Sequence, residues 1–197
     1  MPGSGGRAGT ATFYTLAGLP ACGYPDAAGT GTYAAVSPGD FAGSAACGTV
    51  LDVTGPAGTV RVTVSDLCPE CAAGHVDLAA PAFARIADPV AGMVPVTAAR
   101  VVDPPTGPLR VRVKEGSSAY WLALLPVGTG NPLTAVAVKG DRGWQQLARS
   151  GYGHWIAAGG AGAGPYEVRL TDDRGHTATV EVPLTPGATV PTTTRLY

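Results

Sequence analysis

The stretch from Val60 to Leu78 constrains this chain more than any other. Val60, Val62 and Val64 alternate with Arg61, Thr63 and Ser65. That period of two belongs to a strand with one buried face. The run ends at Asp66-Leu67, and Cys68-Pro69-Glu70-Cys71 follows as a loop that cysteines can clamp. The chain returns through His75-Val76-Asp77-Leu78 and enters a short helix-like stretch from Ala80 to Ile86. Asp66 and Asp77 therefore stand at strand ends beside one loop. Carboxylates placed this way can donate or accept a proton at an oxygen of a bound molecule.

The flanks read the same way. Val50 to Thr54, the turn Gly55-Pro56-Ala57-Gly58, and Thr59 to Leu67 form a hairpin with period-two alternation. Thr10 to Leu16 is a first strand, and Met93 to Val102 a closing one. Ala17 to Ser44, rich in Gly, Pro, Ala and Asp, reads as a long loop pinned by Tyr33 and Phe41. Pro81 to Ala87 is the one good helix candidate. With 29 glycines, 18 prolines and 14% charged residues, the chain is globular in composition, all-β and rich in turns.

Asp103-Pro104-Pro105-Thr106-Gly107-Pro108 divides the chain, and three prolines there make a stiff connector. Beyond it, strands are expected near Leu109–Glu115, Trp121–Val127, Leu133–Lys139, Trp144–Ala148, Tyr166–Thr171 and Thr177–Leu184. Short strands at this spacing argue a β-sandwich of immunoglobulin-like type. The expected division is a disordered leader over 1–8, a first domain over 9–103, a linker over 104–108 and a second domain over 109–197. Charge divides likewise. Residues 1–104 carry four basic against eight acidic side chains, and residues 105–197 carry nine against six. The basic excess is too small and scattered for nucleic acid.

The four cysteines are an even number and point to an oxidising compartment. The polar start, Met1-Pro2-Gly3-Ser4-Gly5-Gly6-Arg7, has no hydrophobic signal region, so a secreted protein of this sequence is expected to have had one removed. No apolar run approaches membrane-spanning length. His75, His154 and His176 make no metal-ligand spacing. Cys68-Pro69-Glu70-Cys71 lacks the strand-to-helix context of a redox pair, and a zinc site would need Cys22 and Cys47 to converge on it. A structural clamp is the reading taken. Of three connectivities, Cys22–Cys47 with Cys68–Cys71 is favoured; Cys47–Cys68 with Cys22–Cys71 stays open, because the hairpin register sets Cys47 close to Cys68.

Several segments together resemble bacterial expansins. In the first half they are Gly9-Thr10-Ala11-Thr12-Phe13-Tyr14, Ala21-Cys22-Gly23-Tyr24, and Val64-Ser65-Asp66-Leu67 through Asp77-Leu78 to Phe83. In the second half they are Val113-Lys114-Glu115-Gly116-Ser117-Ser118 with Tyr120-Trp121, Tyr152-Gly153-His154-Trp155, and Arg169-Leu170-Thr171-Asp172-Asp173-Arg174-Gly175. The resemblance implies a six-stranded double-psi β-barrel, related to family-45 endoglucanases, followed by a β-sandwich carbohydrate-binding module. There are two departures. Cys68 stands where many bacterial expansins carry tyrosine, so this loop looks closer to those of loosenin-like and barwin-like proteins. Tyr120 stands at a position that is often tryptophan.

The resemblance makes Asp77 the matching acid of the barrel groove and Asp66 a groove-orienting residue. Inverting glycoside hydrolysis also needs a base about 6.5–9.5 Å from the acid, to hold a water. In family-45 endoglucanases the first strand supplies it. Here that strand, Thr10-Ala11-Thr12-Phe13-Tyr14-Thr15, has no carboxylate. An acid without its base implies binding and bond disturbance rather than turnover. Thr12 is placed to hydrogen-bond Asp77 or a sugar hydroxyl. His75, two residues before Asp77, faces the same side in an extended segment and would orient the carboxylate.

In the second half the resemblance implies a flat platform of Tyr120, Trp121 and Tyr152, with Lys114 as a polar neighbour. Sugar rings stack on exposed aromatic faces. Adjacent Tyr120 and Trp121 point to opposite sides of a regular strand, so the platform needs a bulge or strand end there. Trp144, in an alternating segment, reads as core, and Trp155 is undecided.

The reading is a secreted, extracellular, monomeric protein that loosens walls without hydrolysis and binds cellulose, with xylan or peptidoglycan as further polymers. It implies no cofactor, no metal, no nucleic acid and no membrane. One alternative is a weak endoglucanase or peptidoglycan-cleaving enzyme, with Asp66 or a loop carboxylate such as Asp26 as base. The other is a barwin-like binding or inhibitor module.

Overall fold

The computed structural model describes residues 5–197. They form two compact units that meet between Pro104 and Pro105. Six strands make the first: β1 (Arg7–Tyr14), β2 (Tyr33–Val36), β3 (Val50–Gly55), β4 (Gly58–Leu67), β5 (His75–Ala79) and β6 (Val94–Val101). They close into a barrel in the order β1-β5-β2-β4-β3-β6. The pairs β1–β5 and β2–β4 run parallel, and the others antiparallel.

The hairpin forms as its alternation requires. Leu51 faces Val62 and Val53 faces Val60, and all four are buried. Val64, Val76, Leu78, Val94, Val96 and Ala11 complete the barrel core. Three single-turn helices decorate it: α1 (Ala27–Thr30), α2 (Pro38–Phe41) and α3 (Ala80–Phe83). The last follows β5 directly and drops Phe83 into the core, 4.8 Å from the ring centre of Phe13. Ser37 caps α2 by accepting from the Asp40 amide. Asp40 in turn accepts from Arg7 (2.7 Å) and from the Gly74 amide (2.8 Å), tying α2 to both β1 and the entry of β5.

The leader is shorter than expected. β1 starts at Arg7, inside the segment read as disordered, because Asp40 holds its guanidinium. Residues 1–4 of that segment lie outside the described residues. A second difference is larger. β2 sits within the stretch read as loop, and it is central to the barrel. All four of its residues are buried, so no alternation marks it.

The second unit holds β7 (Arg110–Val113), β8 (Leu122–Val127), β9 (Leu133–Gly140), β10 (Gly143–Gln146), β11 (Ala148–Arg149), β12 (Trp155–Ala157), β13 (Tyr166–Asp172), β14 (Thr177–Val182) and β15 (Thr189–Pro191). One sheet runs β10-β9-β13-β14 and the other β11-β12-β8-β7-β15. Val111, Leu122 and Leu124 of one pack with Val136, Val168, Leu170 and Val180 of the other in a single core, a β-sandwich. Trp155 belongs to that core, and Arg149 lies over its ring at 5.0 Å. Trp144 does not, contrary to its alternating context. It is 40% exposed on the outer side of its sheet, with Arg169 stacked over it at 4.3 Å.

Candidate functional site

The parallel pairing of β1 with β5 sets Thr10 beside His75 and Thr12 beside Asp77. Residues two apart share a face, so these four side chains lie together while Ala11, Val76 and Leu78 fill the barrel. Thr12 donates to Asp77 Oδ1 at 2.6 Å. A hydroxyl has one proton to give, so the 2.8 Å contact between Thr12 Oγ1 and His75 Nε2 has the imidazole as donor. His75 Nδ1 lies 3.1 Å from the Thr10 hydroxyl. Thr10, His75, Thr12 and Asp77 thus form one hydrogen-bonded row that ends on the carboxyl.

The row continues on the other side of Asp77. Asp77 faces Ala35 of β2, and Ala35 faces Asp66 of β4. At the usual strand spacing the two aspartate Cα atoms are about 10 Å apart. Asp66 spends its oxygens locally. It accepts from the Ala21 amide (2.7 Å), the Leu67 amide (2.9 Å) and the Tyr14 hydroxyl (3.1 Å). It orients a loop and a tyrosine. Burial and the Asp66 charge push the Tyr14 phenol up, so it stays a donor. Asp26, the other carboxylate considered as a base, is exposed beside α1.

Asp77 is pushed above the ordinary carboxylate range, chiefly by burial. The Thr12 hydrogen bond and His75 oppose that rise, and the charges of Glu70 and Asp66 add to it. A half-buried carboxyl of this kind holds its proton at higher pH and can donate it to an acceptor oxygen.

The disulfides join Cys22 to Cys47 and Cys68 to Cys71. The first fastens the loop that carries the Ala21 amide. The second closes the loop between β4 and β5.

In the second unit Tyr120 and Trp121 precede β8 instead of lying within it. Ser118 and Trp121 form an isolated bridge, and the Tyr120 amide donates to Ser118 Oγ at 3.2 Å. This strand end frees the pair from strict alternation. Tyr120 is 84% exposed and Tyr152 43%, while Trp121 is half-buried. Gly160, in the left-handed region at φ 68°, lies against the Ala119–Tyr120 backbone. A Cβ there would come within 2.0 Å of the Ala119 carbonyl oxygen and 2.5 Å of the Tyr120 Cα. Tyr152 packs on His154 at 5.2 Å between ring centres. Burial holds the His154 imidazole below its ordinary value, and the positive charges of Lys114 and Arg112 add to that. The Lys114 amide donates to the carbonyl of Ala123, two residues beyond Trp121, at 2.9 Å.

A family model described as lytic transglycolase matches residues 7–98. Expansin-YoaJ of Bacillus subtilis is 34% identical over 143 residues, which span 73% of this chain and 61% of that protein. Expansin-A26 of Oryza sativa is 36% identical over 138 residues, 66% of this chain and 48% of that one. The chain thus spans between about half and three fifths of the length of these curated relatives. The crystal structure of an expansin from Clavibacter michiganensis superposes with a TM-score of 0.93 at 38% identity, covering 98% of both chains. The chain belongs to the expansin family. An aspartate-to-asparagine variant of the Clavibacter expansin, in complex with cellohexaose, superposes at 0.92 with 37% identity.

In this expansin the structure brings Thr12, Asp77 and Asp66 to one face of the barrel; it sets Tyr120 and Trp121 just before β8, Tyr152 in the turn between β11 and β12, and Lys114 directly after β7. Three contributors went unseen in the sequence. Tyr14 was readable, two residues from Thr12 on the same strand face. The Ala21 amide and Gly160 were not, because backbone donors and close approaches leave no side-chain signal.

Proposed function

We propose that this chain is a secreted protein that loosens cell walls without hydrolysis. The barrel groove holds a glycan under Asp77, and the sandwich anchors the protein to cellulose through Tyr120, Trp121 and Tyr152, with Lys114 as a polar contact. The observation that carries the reading is the contrast between the two aspartates. Asp77 is a half-buried acid with Thr12 as its hydrogen-bond donor, while Asp66 is committed to Ala21, Leu67 and Tyr14. An acid that protonates or hydrogen-bonds a glycosidic oxygen, with no base holding a water, disturbs a glycan without completing hydrolysis. The cellohexaose bound by the Clavibacter relative supports a β-glucan chain as ligand. The two disulfides suit an extracellular setting, and no helix among the described residues is long and apolar enough to cross a membrane.

The deciding experiment compares wild type with Asp77→Asn for paper weakening and for reducing ends released from amorphous cellulose. Weakening by the wild type only, with reducing ends from neither, supports the reading. Steady release by the wild type overturns it. A second reading, cleavage of peptidoglycan, rests on the match of residues 7–98 to the lytic transglycolase model. Soluble fragments released from purified peptidoglycan would favour it, and xylan serves as the comparison polymer.

A further inference from the structure

The face that carries Thr10, Thr12, His75 and Asp77 does not end at β1. That strand also pairs with β6, antiparallel, and sets Thr10 opposite Pro95 as well as beside His75. Residues directly opposite in an antiparallel pair point to the same side. The burial of β6 agrees. Val94 and Val96 are 7% and 5% exposed and belong to the barrel core, while Pro95 and Thr97 are exposed. Met93, one residue before the strand, continues that outer alternation and is 55% exposed. One row therefore crosses the barrel from Pro95 through Thr10 to His75, and Met93 lies along β6 in the direction of Thr12 and Asp77. Two strand spacings separate the Pro95 and His75 backbones, about 10 Å.

The two flanks of Asp77 differ in kind. On the β2–β4 side stands Asp66, held by three donors. On the β6 side stand Met93 and Pro95, both apolar. β3 pairs with β6 only from Thr97 to Val101, so among the described residues the Val94–Val96 end has β1 alone as its strand neighbour. A proline is tolerated at such an overhang, where no β3 carbonyl waits for its missing N–H. The same end leads back to the turn Pro89–Ala91, whose Val90 is 92% exposed, and the Met93 amide closes on the Ala91 carbonyl at 2.6 Å. Single apolar residues at a surface carry no message, but these adjoin the polar row of the groove.

A β-linked glucan suits such a boundary. Its ring edges are hydroxyls and its ring faces are C–H. The edges match Thr10, Thr12, His75 and Asp77, and the faces match an apolar floor that sheds water on contact. A methionine side chain adapts to the shape laid on it. We propose that Pro95 and Met93 form an apolar subsite of the barrel groove, on which one pyranose ring of an uncharged β-glucan rests next to the ring held under Asp77. The subsite rests on the role given to Asp77 above, and it gives the glycan a direction, across the strands from the Asp66 side toward β6.

Signals local to the barrel test it on the full chain, so that binding by the second unit does not intrude. The sequence has two methionines, Met1 and Met93, so methyl labelling of methionine makes Met93 one of two resonances. Cellohexaose should move the Met93 methyl and the His75 ring signals along one saturation curve. Met93→Ser should weaken that curve, read at His75, by about three- to ten-fold, and Met93→Leu should restore it. Pro95→Ser should act in the same sense. Met93 precedes the paired strand, so its variants leave the β1–β6 ladder alone. A Met93 methyl that stays still while His75 moves overturns the subsite, and so does full-strength binding by Met93→Ser. A Met93 signal that broadens with protein concentration, without glycan, assigns the patch to a second copy of the chain and overturns it too. If cellohexaose moves neither signal, the groove reading of the proposed function falls with the subsite. If both signals move and the wild type fails to weaken paper, the proposed function falls and the subsite stands.

Discussion

Thr12 donates to Asp77 across a parallel strand pair, over 65 residues of chain, at 2.6 Å. The bond favours the ionised carboxylate and so works against the burial that raises Asp77. The acid is thereby held between two opposing influences, one from its strand partner and one from its surroundings.

Thr12→Val keeps the side-chain shape and removes the donor. With that bond gone, the Asp77 midpoint should rise in a carboxyl titration. Folding stability should fall by about 1 kcal/mol, typical of one lost hydrogen bond. An unchanged midpoint would mean that the hydroxyl serves the glycan and not the acid.

Asp77→Asn should abolish paper weakening and leave the fold intact. Because the folded state raises the proton affinity of Asp77, the ionised form costs more in the fold than in the unfolded chain. That cost is absent below the ordinary value of 3.8 and fully present above the raised folded value. The neutral amide escapes it. Thermal melts should show the variant at least as stable as wild type at pH 7, with any advantage vanishing on acidification.

Trp121→Ala, Tyr120→Ala and Tyr152→Ala should each weaken cellulose pull-down, by roughly 1–3 kcal/mol for an anchor ring. Gly160→Ala should weaken it without touching a ring, because the added methyl displaces the Ala119–Tyr120 backbone. Normal binding by Gly160→Ala would show that the rings do not depend on that seat.

The two disulfides should differ in worth. Cys22–Cys47 closes a separation of 25 residues and Cys68–Cys71 one of three. Chain-entropy arguments give roughly 3.5 kcal/mol for the first and about 2 kcal/mol for the second. Chemical denaturation of the two double-serine variants measures each, and equal losses would contradict the ranking.

Asp172→Ala should destabilise the second unit. Burial opposes ionisation of Asp172, but Asn131, the His176 ring, and the amides of His176 and Arg174 outweigh it, so its proton affinity is lowered overall. The stability it contributes is present above the ordinary aspartate range and is lost as pH falls through the lowered folded value. Its removal leaves buried donors without their acceptor, at about 2–4 kcal/mol. Denaturant melts of wild type and variant at pH 7 and in acid should converge as the pH drops.

What the residues alone disclosed followed their physics. The β3–β4 hairpin was plain because one of its faces is wet. β2 was hidden because both faces are dry and three of its four residues are small or β-branched, with no polar partner to mark a period. Asp77 and Thr12 stood out as residue types on strands, yet their contact depends on a parallel pairing that no local pattern encodes. Trp144 misled for the opposite reason: alternation assigns a residue to a face, but not that face to core or solvent.

The closure of β1 onto β5 and β6 also sets an order of events in folding. The β3–β4 hairpin pairs near neighbours and can form early. The strand that carries Thr12 has no partner until His75 and then Val94 are in place. Such long-range pairings are slow, since loop entropy is lost before contacts repay it. The groove should therefore be the last part of the barrel to assemble, and a chain cut short before β6 would keep its hairpin and never acquire the site.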